Sequence, residues 1–356
     1  MAKPKDVKKA PAISVIIAMY NAEQYVKLCL DNLLNQSFKD FEIIVVDDCS
    51  SDKSVDVVSE MAPQFEGRLK LIKLKKNSGF PGLPRNTAMQ SARGKYITFV
   101  DSDDFISSTA LEELYNIAEE TQAEVIATEK CFSFKDGDVE NISVYTFQRG
   151  TFVDRPTFET EDIGERIMRF VNFQTLWWAA NKLFRRDFLV KHDIKFPNIT
   201  AWEDLVFTFT CLLKAKKYLR VPNVFYFYRL RDGSLSHKGR DAVEMTQNMI
   251  GSVNAMDKVM TRTEYFNRNP KFRYIFLDWY IQNRLDTICQ SLYGIDHLEP
   301  FQIDDFFRKV IFSVNPAENV SLLSYFFTKT THFRIINAAQ NIRINELNQK
   351  ISELQL

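Results

Sequence analysis

Between residues 13 and 128 short apolar runs alternate with amphipathic stretches, and this alternation constrains the fold more than any other feature of the sequence. Ile13–Ala18 is a continuous apolar run, the mark of a strand covered on both faces. Val26, Cys29, Leu30, Leu33 and Leu34 then fall at helical spacing, with Asn21 placed to cap that helix. Glu42–Val46 reads as a second strand, and a helix carrying Val55, Val58 and Met61 follows the Ser50-Ser51-Asp52 cluster. Leu69–Leu74, Tyr96–Val100 and Glu124–Thr128 read as further strands. Helical patterns lie over Arg85–Ala92 and at Leu111, Leu114, Tyr115 and Ala118. Strand and helix in alternation predict a Rossmann-like α/β fold, a mostly parallel sheet with helices on both faces. Ligands in such sheets sit beyond the carboxyl ends of the strands, so polar residues there are the candidates for chemistry.

The pattern loosens after residue 130. Residues 131–160 are polar with alternating apolar positions, consistent with extra strands or a lid. From about Asp241 Gly and Pro become rare, which suggests a helical C-terminal appendage over 241–356. Four segments follow: a flexible N-terminus at 1–11, then 12–130, 131–240 and 241–356. Near the end, Ile344, Leu347, Ile351 and Leu354 make a coiled-coil-like seam too brief to be stable alone. Arg308, Lys309, Phe312, Tyr325 and Phe326 suit either a membrane surface or packing against the rest of the protein or a second subunit.

Composition excludes several classes. The 46 basic and 46 acidic side chains cancel, which argues against an electrostatic nucleic-acid binder. The five cysteines are scattered without a C-x-x-C pair, so neither a disulfide framework nor a structural zinc is indicated and a reducing cytosol fits. Lys3, Lys5, Lys8 and Lys9 before Ile13–Tyr20 imitate a secretion signal, but no small-residue cleavage pattern follows and a buried first strand explains the run better. The longest uncharged apolar stretch, Val171 to Asn181, falls short of the roughly 18–20 residues a spanning helix needs.

Four clusters carry polar chemistry. Ala18-Met19-Tyr20-Asn21 ends the first strand, and Val46-Asp47-Asp48-Cys49-Ser50 ends the second. A carboxylate there suits the N3–H of a uracil ring and an aromatic such as Tyr20 can stack on it; equally, Asp47 and Asp48 can cap the next helix. Asn77-Ser78-Gly79-Phe80-Pro81-Gly82-Leu83-Pro84-Arg85-Asn86 is a stiff loop ahead of a helix start, where Arg85 could meet a base or a diphosphate; an ordinary connection is the alternative. Asp101-Ser102-Asp103-Asp104 crowds three carboxylates at a strand end, costly without a cation or donor partners. A hard divalent ion, Mn2+ or Mg2+, would supply that partner, and a solvated turn is the other reading.

In this order and spacing the clusters resemble the nucleotide-sugar half of GT-A glycosyltransferases, in particular the inverting family 2. The likeness is close over about 12–130. It returns in Asn181-Lys182-Leu183-Phe184, Trp202-Glu203-Asp204-Leu205 and Tyr228–Ser236. The 77–86 loop is similar to that of enzymes that decorate wall teichoic acid. The resemblance implies a nucleotide-sugar-binding part at 12–130, an acceptor and catalytic-base part at 131–240, and a helical region that associates with itself or with a membrane surface. It implies that Tyr20, Asp48 and Arg85 hold uracil, that Ala18, Asn21, Glu23, Asn77 and Ser102 help line the donor site, and that Asp101 meets the ribose. Asp103 would bind the metal, joined by His237 when its loop closes. Asp204 would be the general base and Glu203 would orient the acceptor. Capping of its helix is the alternative role for Asp204, a surface position the alternative for His237. Trp177, Trp178 and Trp202 could form a sugar platform, although core packing serves Trp177 and Trp178 as well.

The expected activity is transfer from a UDP-sugar, a hexose or N-acetylhexosamine, to a hydroxyl of a bacterial surface glycan. The acceptor would be lipid-linked or polymeric, and the enzyme cytoplasmic, at the inner face of the membrane. A non-catalytic nucleotide-sugar-binding subunit is one rival. A sugar nucleotidyltransferase is another, but it would carry a Gly-rich basic loop where Met19-Tyr20-Asn21-Ala22 stands.

Overall fold

The computed structural model describes residues 9–145, 152–231 and 242–292, with positions 325, 329, 336, 340, 342 and 343. The chain divides into two units, Met1–Gly239 and Arg240–Leu356. His237, Arg308, Lys309, Phe312, Phe326 and the 344–354 seam lie outside the described residues.

In the first unit the alternation becomes β1 (Ile13–Met19), α1 (Val26–Leu34), β2 (Phe41–Asp47), α2 (Ser54–Met61), β3 (Leu69–Lys73), α3 (Gly82–Ser91) and β4 (Tyr96–Phe99). A short β5 (Phe105–Ile106), α4 (Ala110–Thr121) and β6 (Val125–Thr128) follow. The loosened region supplies β7 (Cys131–Lys135), β8 (Asp138–Tyr145), β9 (Thr157–Phe158), α5 (Ile163–Val171), β10 (Lys182–Arg185) and α6 (Arg186–Lys191). The unit ends with α7 (Glu203–Lys214), β11 (Tyr218–Val221) and β12 (Tyr226–Leu230).

The eight-stranded sheet runs β3-β2-β1-β4-β10-β6-β11-β9. β3, β2, β1 and β4 are parallel, and β1 and β2 are buried on both faces apart from partly covered Ala18, as their unbroken apolar runs require. β10 enters antiparallel between β4 and β6. A second sheet, β5-β12-β7-β8, stands at the site end, with β12 parallel to β7.

Two pins fix β4. The Ser14 hydroxyl donates to Glu42 at 2.8 Å and accepts from the Gly94 amide at 2.9 Å, while Arg93 reaches the same carboxylate. Gly94 is required there, because a Cβ would lie 2.5 Å from the Ser14 amide nitrogen. Beyond β4, Phe99 meets Phe184, Phe196 and Phe207 edge to face, and Phe196 stacks on Phe207 at 4.1 Å. This aromatic cluster forms a stiff floor that joins β4, β10 and α7.

Two helix starts differ from expectation. Asn21 does not cap α1: it has a φ of 46°, and its side-chain carbonyl accepts from the Ser51 amide instead. Tyr25 holds the cap position without a side-chain capping bond. α3 starts at Gly82, three residues before Arg85, because Pro84 is tolerated in a first turn whose amides need no helical partner.

The second unit contains α8 (Ala242–Thr261), α9 (Glu264–Arg268) and α10 (Pro270–Leu292). Met249, Val253 and Met256 of α8 and Phe276, Tyr280 and Ile281 of α10 are buried within it, and Arg273 grips Asp257 with two bonds. Tyr325 is 3% exposed and donates to Asp278, so it packs inside this unit rather than facing a membrane. Among the described residues no helix is long and apolar enough to cross a membrane.

Candidate active site

The end of β4 delivers Asp101-Ser102-Asp103-Asp104 into a turn closed by the Asp104 amide on the Asp101 carbonyl. Each carboxylate has protein donors. Asp104 is buried and accepts from the Tyr226 hydroxyl and the Arg229 amide, both at 2.8 Å. Asp103 accepts from Arg231 at 2.7 Å, and its carbonyl from Arg229. Asp101 accepts from Arg85 at 2.7 Å. The crowding that suggests a cation is therefore relieved in large part by β12 and two arginines. Repulsion remains: burial, then the other two aspartates, pushes Asp104 well up, and burial followed by Asp101 raises Asp103. Among the described residues no group of three or more His, Cys, Asp or Glu side chains converges as a metal site.

Arg85 links this turn to α7. It is 6% exposed, its Nη2 donates to Asp101 and its Nη1 to Glu203 Oε1 at 3.2 Å. Gly82 permits the approach, since a Cβ there would press on Glu203, Phe80 and Phe196 at 3.1–3.2 Å. Asn86 exchanges two bonds with the Phe196 backbone and fixes α3 against the segment before α7. Glu203 and Asp204 open α7, where two acids favour the positive helix end. Burial, reinforced by Asp204 and opposed by Arg85, pushes Glu203 up to about 7. Burial also raises Asp204, with Arg85 opposing. Trp202, just before the pair, holds a left-handed backbone with φ 62°, unusual for a bulky residue.

At the other strand ends the side chains stitch loops together. Tyr20 is 51% exposed beyond β1. The Asn21 backbone amide donates to Ser50, Glu23 accepts from the Lys53 amide, and the Glu23 amide donates to Asp52. Asp48 is buried and accepts from the amide and hydroxyl of Ser78, holding the 77–86 loop over the end of β2. Asp47 accepts weakly from the Ser50 amide and lies short of α2, whose first residue is Ser54. Asn77 accepts from the Gly79 amide. Ala18 is partly covered at the end of β1 and Ser102 is partly exposed in the carboxylate turn.

Tyr226 escapes sequence reasoning, and Lys182 enters it only within the Asn181-Lys182-Leu183-Phe184 likeness. A tyrosine in an alternating strand and a lysine in a short one give no local sign of their partners. Arg229 and Arg231 fall within the Tyr228–Ser236 likeness; Arg229 lies in β12, and both arginines also lie over the Tyr25 ring.

The glycosyl transferase family 2 model matches residues 14–177. The poly(ribitol-phosphate) beta-glucosyltransferase of Bacillus spizizenii is 37% identical over 225 residues, 62% of this chain and 33% of that protein. The cholesterol galactosyltransferase of Borreliella burgdorferi is 29% identical over 285 residues, 78% of this chain and 75% of that protein. The match thus spans a third of one relative and three quarters of the other. A crystal structure of S. aureus TarS 1-349 in complex with UDP-GlcNAc is similar with a TM-score of 0.65, at 24% identity, over 87% of this chain and 83% of that one. That likeness establishes the GT-A fold expected from the alternation and the four clusters. Residues 14–177 of this chain are thus similar to glycosyl transferase family 2.

Proposed function

We propose that this protein is an inverting glycosyltransferase that moves a sugar from a UDP-sugar to a hydroxyl of a bacterial surface glycan, working at the cytoplasmic face of the membrane. The observation that carries the reading is the Arg85 fork, which ties the carboxylate turn at β4 to the acid pair at the start of α7. In this reading Tyr20 stacks on uracil, and Asp48 takes its N3–H on a lone pair left beside the Ser78 bonds. Asp101 meets the ribose, and Ala18, Asn21, Glu23, Asn77 and Ser102 line the donor pocket.

The donor set suits a divalent cation that arrives with the diphosphate better than a resident ion, since Mg2+ or Mn2+ is usually held by one or two carboxylates plus substrate phosphates. Asp103 would hold it, and when bound it neutralises charge on the departing diphosphate. Asp204 accepts the acceptor's proton as the hydroxyl oxygen bonds to the anomeric carbon and the bond from that carbon to the diphosphate breaks. Attack opposite the leaving group inverts that centre. Its raised proton affinity makes Asp204 a stronger base than an exposed aspartate. Glu203, gripped by Arg85, orients the acceptor.

The names of the two relatives differ in both sugar and acceptor, so the test begins with donors. UDP-glucose, UDP-N-acetylglucosamine and UDP-galactose are screened for UDP release with Mn2+ and with EDTA. One donor is expected to turn over with Mn2+ and to stop with EDTA. Asp204→Asn is expected to lower turnover about 10³-fold with UDP binding unchanged. Turnover kept by Asp204→Asn would remove the base from the scheme, and turnover kept in EDTA would remove the metal.

A further inference from the structure

Lys182, the first residue of β10, is 1% exposed and takes no part in the scheme above. An ammonium is expensive to bury, and one retained at the centre of a sheet calls for a reason. Its Nζ donates to the Trp178 carbonyl at 2.5 Å, and the Thr98 hydroxyl donates to its own carbonyl at 2.9 Å. The next carbonyl back, that of Trp177, lies 2.6 Å from the Thr208 hydroxyl on α7. The same hydroxyl lies 2.8 Å from the Asp204 carbonyl. Residues 177–178 thus form a strap held by Lys182 of β10 on one side and by Thr208, in the second turn of α7, on the other.

Charges around the pair come from every neighbouring element. Lys182 faces Asp204 and Cys211 on α7 and Glu129 beyond β6. Asp204 faces Arg85 on α3, Asp101 after β4 and Lys182 on β10, with Glu203 beside it.

We propose that Lys182 is a positioning residue for Asp204: through the Trp177–Trp178 strap it holds α7 in place one turn beyond Asp204, and its buried ammonium adds a positive charge to the surroundings of that carboxylate. The proposal rests on the reading of Asp204 as the base. Burial drives the Lys182 ammonium down to about 7, with Asp204 opposing. The cation is therefore present below neutrality, where the acid limb of a carboxylate base lies.

The test is the pH profile of kcat, with UDP affinity measured by calorimetry and folding by thermal melts. Lys182→Met removes the charge at nearly constant volume, and Lys182→Arg keeps a cation. Without the cation Asp204 holds its proton more tightly, so the acid limb in Lys182→Met is expected to move up by about one pH unit, with UDP affinity unchanged. Lys182→Arg is expected to keep the limb in place. A lysine that only supports the fold would lower stability or scale kcat evenly, and an unmoved limb in Lys182→Met overturns the proposal. Should that variant not fold, Thr208→Val reports on the strap: kcat is expected to fall about tenfold with UDP affinity kept, and an unchanged kcat sinks it. Asp204→Asn is run alongside. If it keeps turnover, both readings fall; if it is inactive while the Lys182→Met limb stays still, only the Lys182 proposal fails.

Discussion

At Arg85 a guanidinium is withdrawn from water, lies 5.3 Å from the centroid of the Phe196 ring, and divides its donors between Asp101 and Glu203. Removing one member of such a buried network strands the others. Arg85→Leu is expected to cost about 3–5 kcal/mol in denaturant melts. Arg85→Lys keeps the charge but has no planar fork, so it cannot hold both acids at once, and a loss of about 10² in kcat/KM is expected. Glu203 carries a separate pH signature. Its folded-state proton affinity is raised to about 7 by burial, so its contribution to stability is present in acid and is lost as pH climbs from the ordinary carboxylate range through about 7. Glu203→Gln removes that loss. The variant should gain on the wild type between pH 5 and 7.5 in denaturant melts, and an unchanged difference across that range would refute the assignment. Asp101, Asp103 and Asp104 stand out in the sequence as acids crowded at a strand end, whereas Glu203 and Asp204 are singled out by the family resemblance. Tyr226 does not stand out, since its partner Asp104 lies 122 positions away.

Elements bring these residues together with little tolerance. β4 enters beside β1 through the Gly94 contact, and its far end carries Asp101. Gly94→Ala would drive a methyl into the Ser14 backbone. A stability loss of about 1–3 kcal/mol is expected, with turnover lowered because the carboxylate turn shifts. Wild-type melting and turnover in Gly94→Ala would show that β4 yields there. The apolar runs located β1, β2, β4 and β6 to within a residue or so, because strands buried on both faces are predominantly apolar. Helix starts were harder to read, since polar residues that look like caps serve other loops. Asn21 and Glu23 bond to residues 50–53, and that choice depends on how β1 and β2 align.

Across the whole molecule the formal charge is zero at pH 7. Net charge keeps proteins apart in solution. Solubility is therefore expected to be lowest near neutral pH and to rise when pH is moved by about two units either way. Turbidity of a concentrated sample across pH measures this, and a flat profile contradicts it. The architecture of the first unit was legible in outline because each strand–helix repeat announces itself locally. The place of β10 was not, since nothing in four residues tells which two strands they will separate.

That place has a consequence for how the sheet is completed. β4 and β6 never pair with each other; each pairs with β10, whose first residue is Lys182. The glycosyl transferase family 2 match ends at residue 177, five positions earlier. A fragment cut at that boundary would leave β4 with a bare edge and β6 without either neighbour, β10 or β11, an invitation to pair with other copies. During synthesis those edges stay open until β10 and β11 have left the ribosome, so this sheet is completed only late in translation.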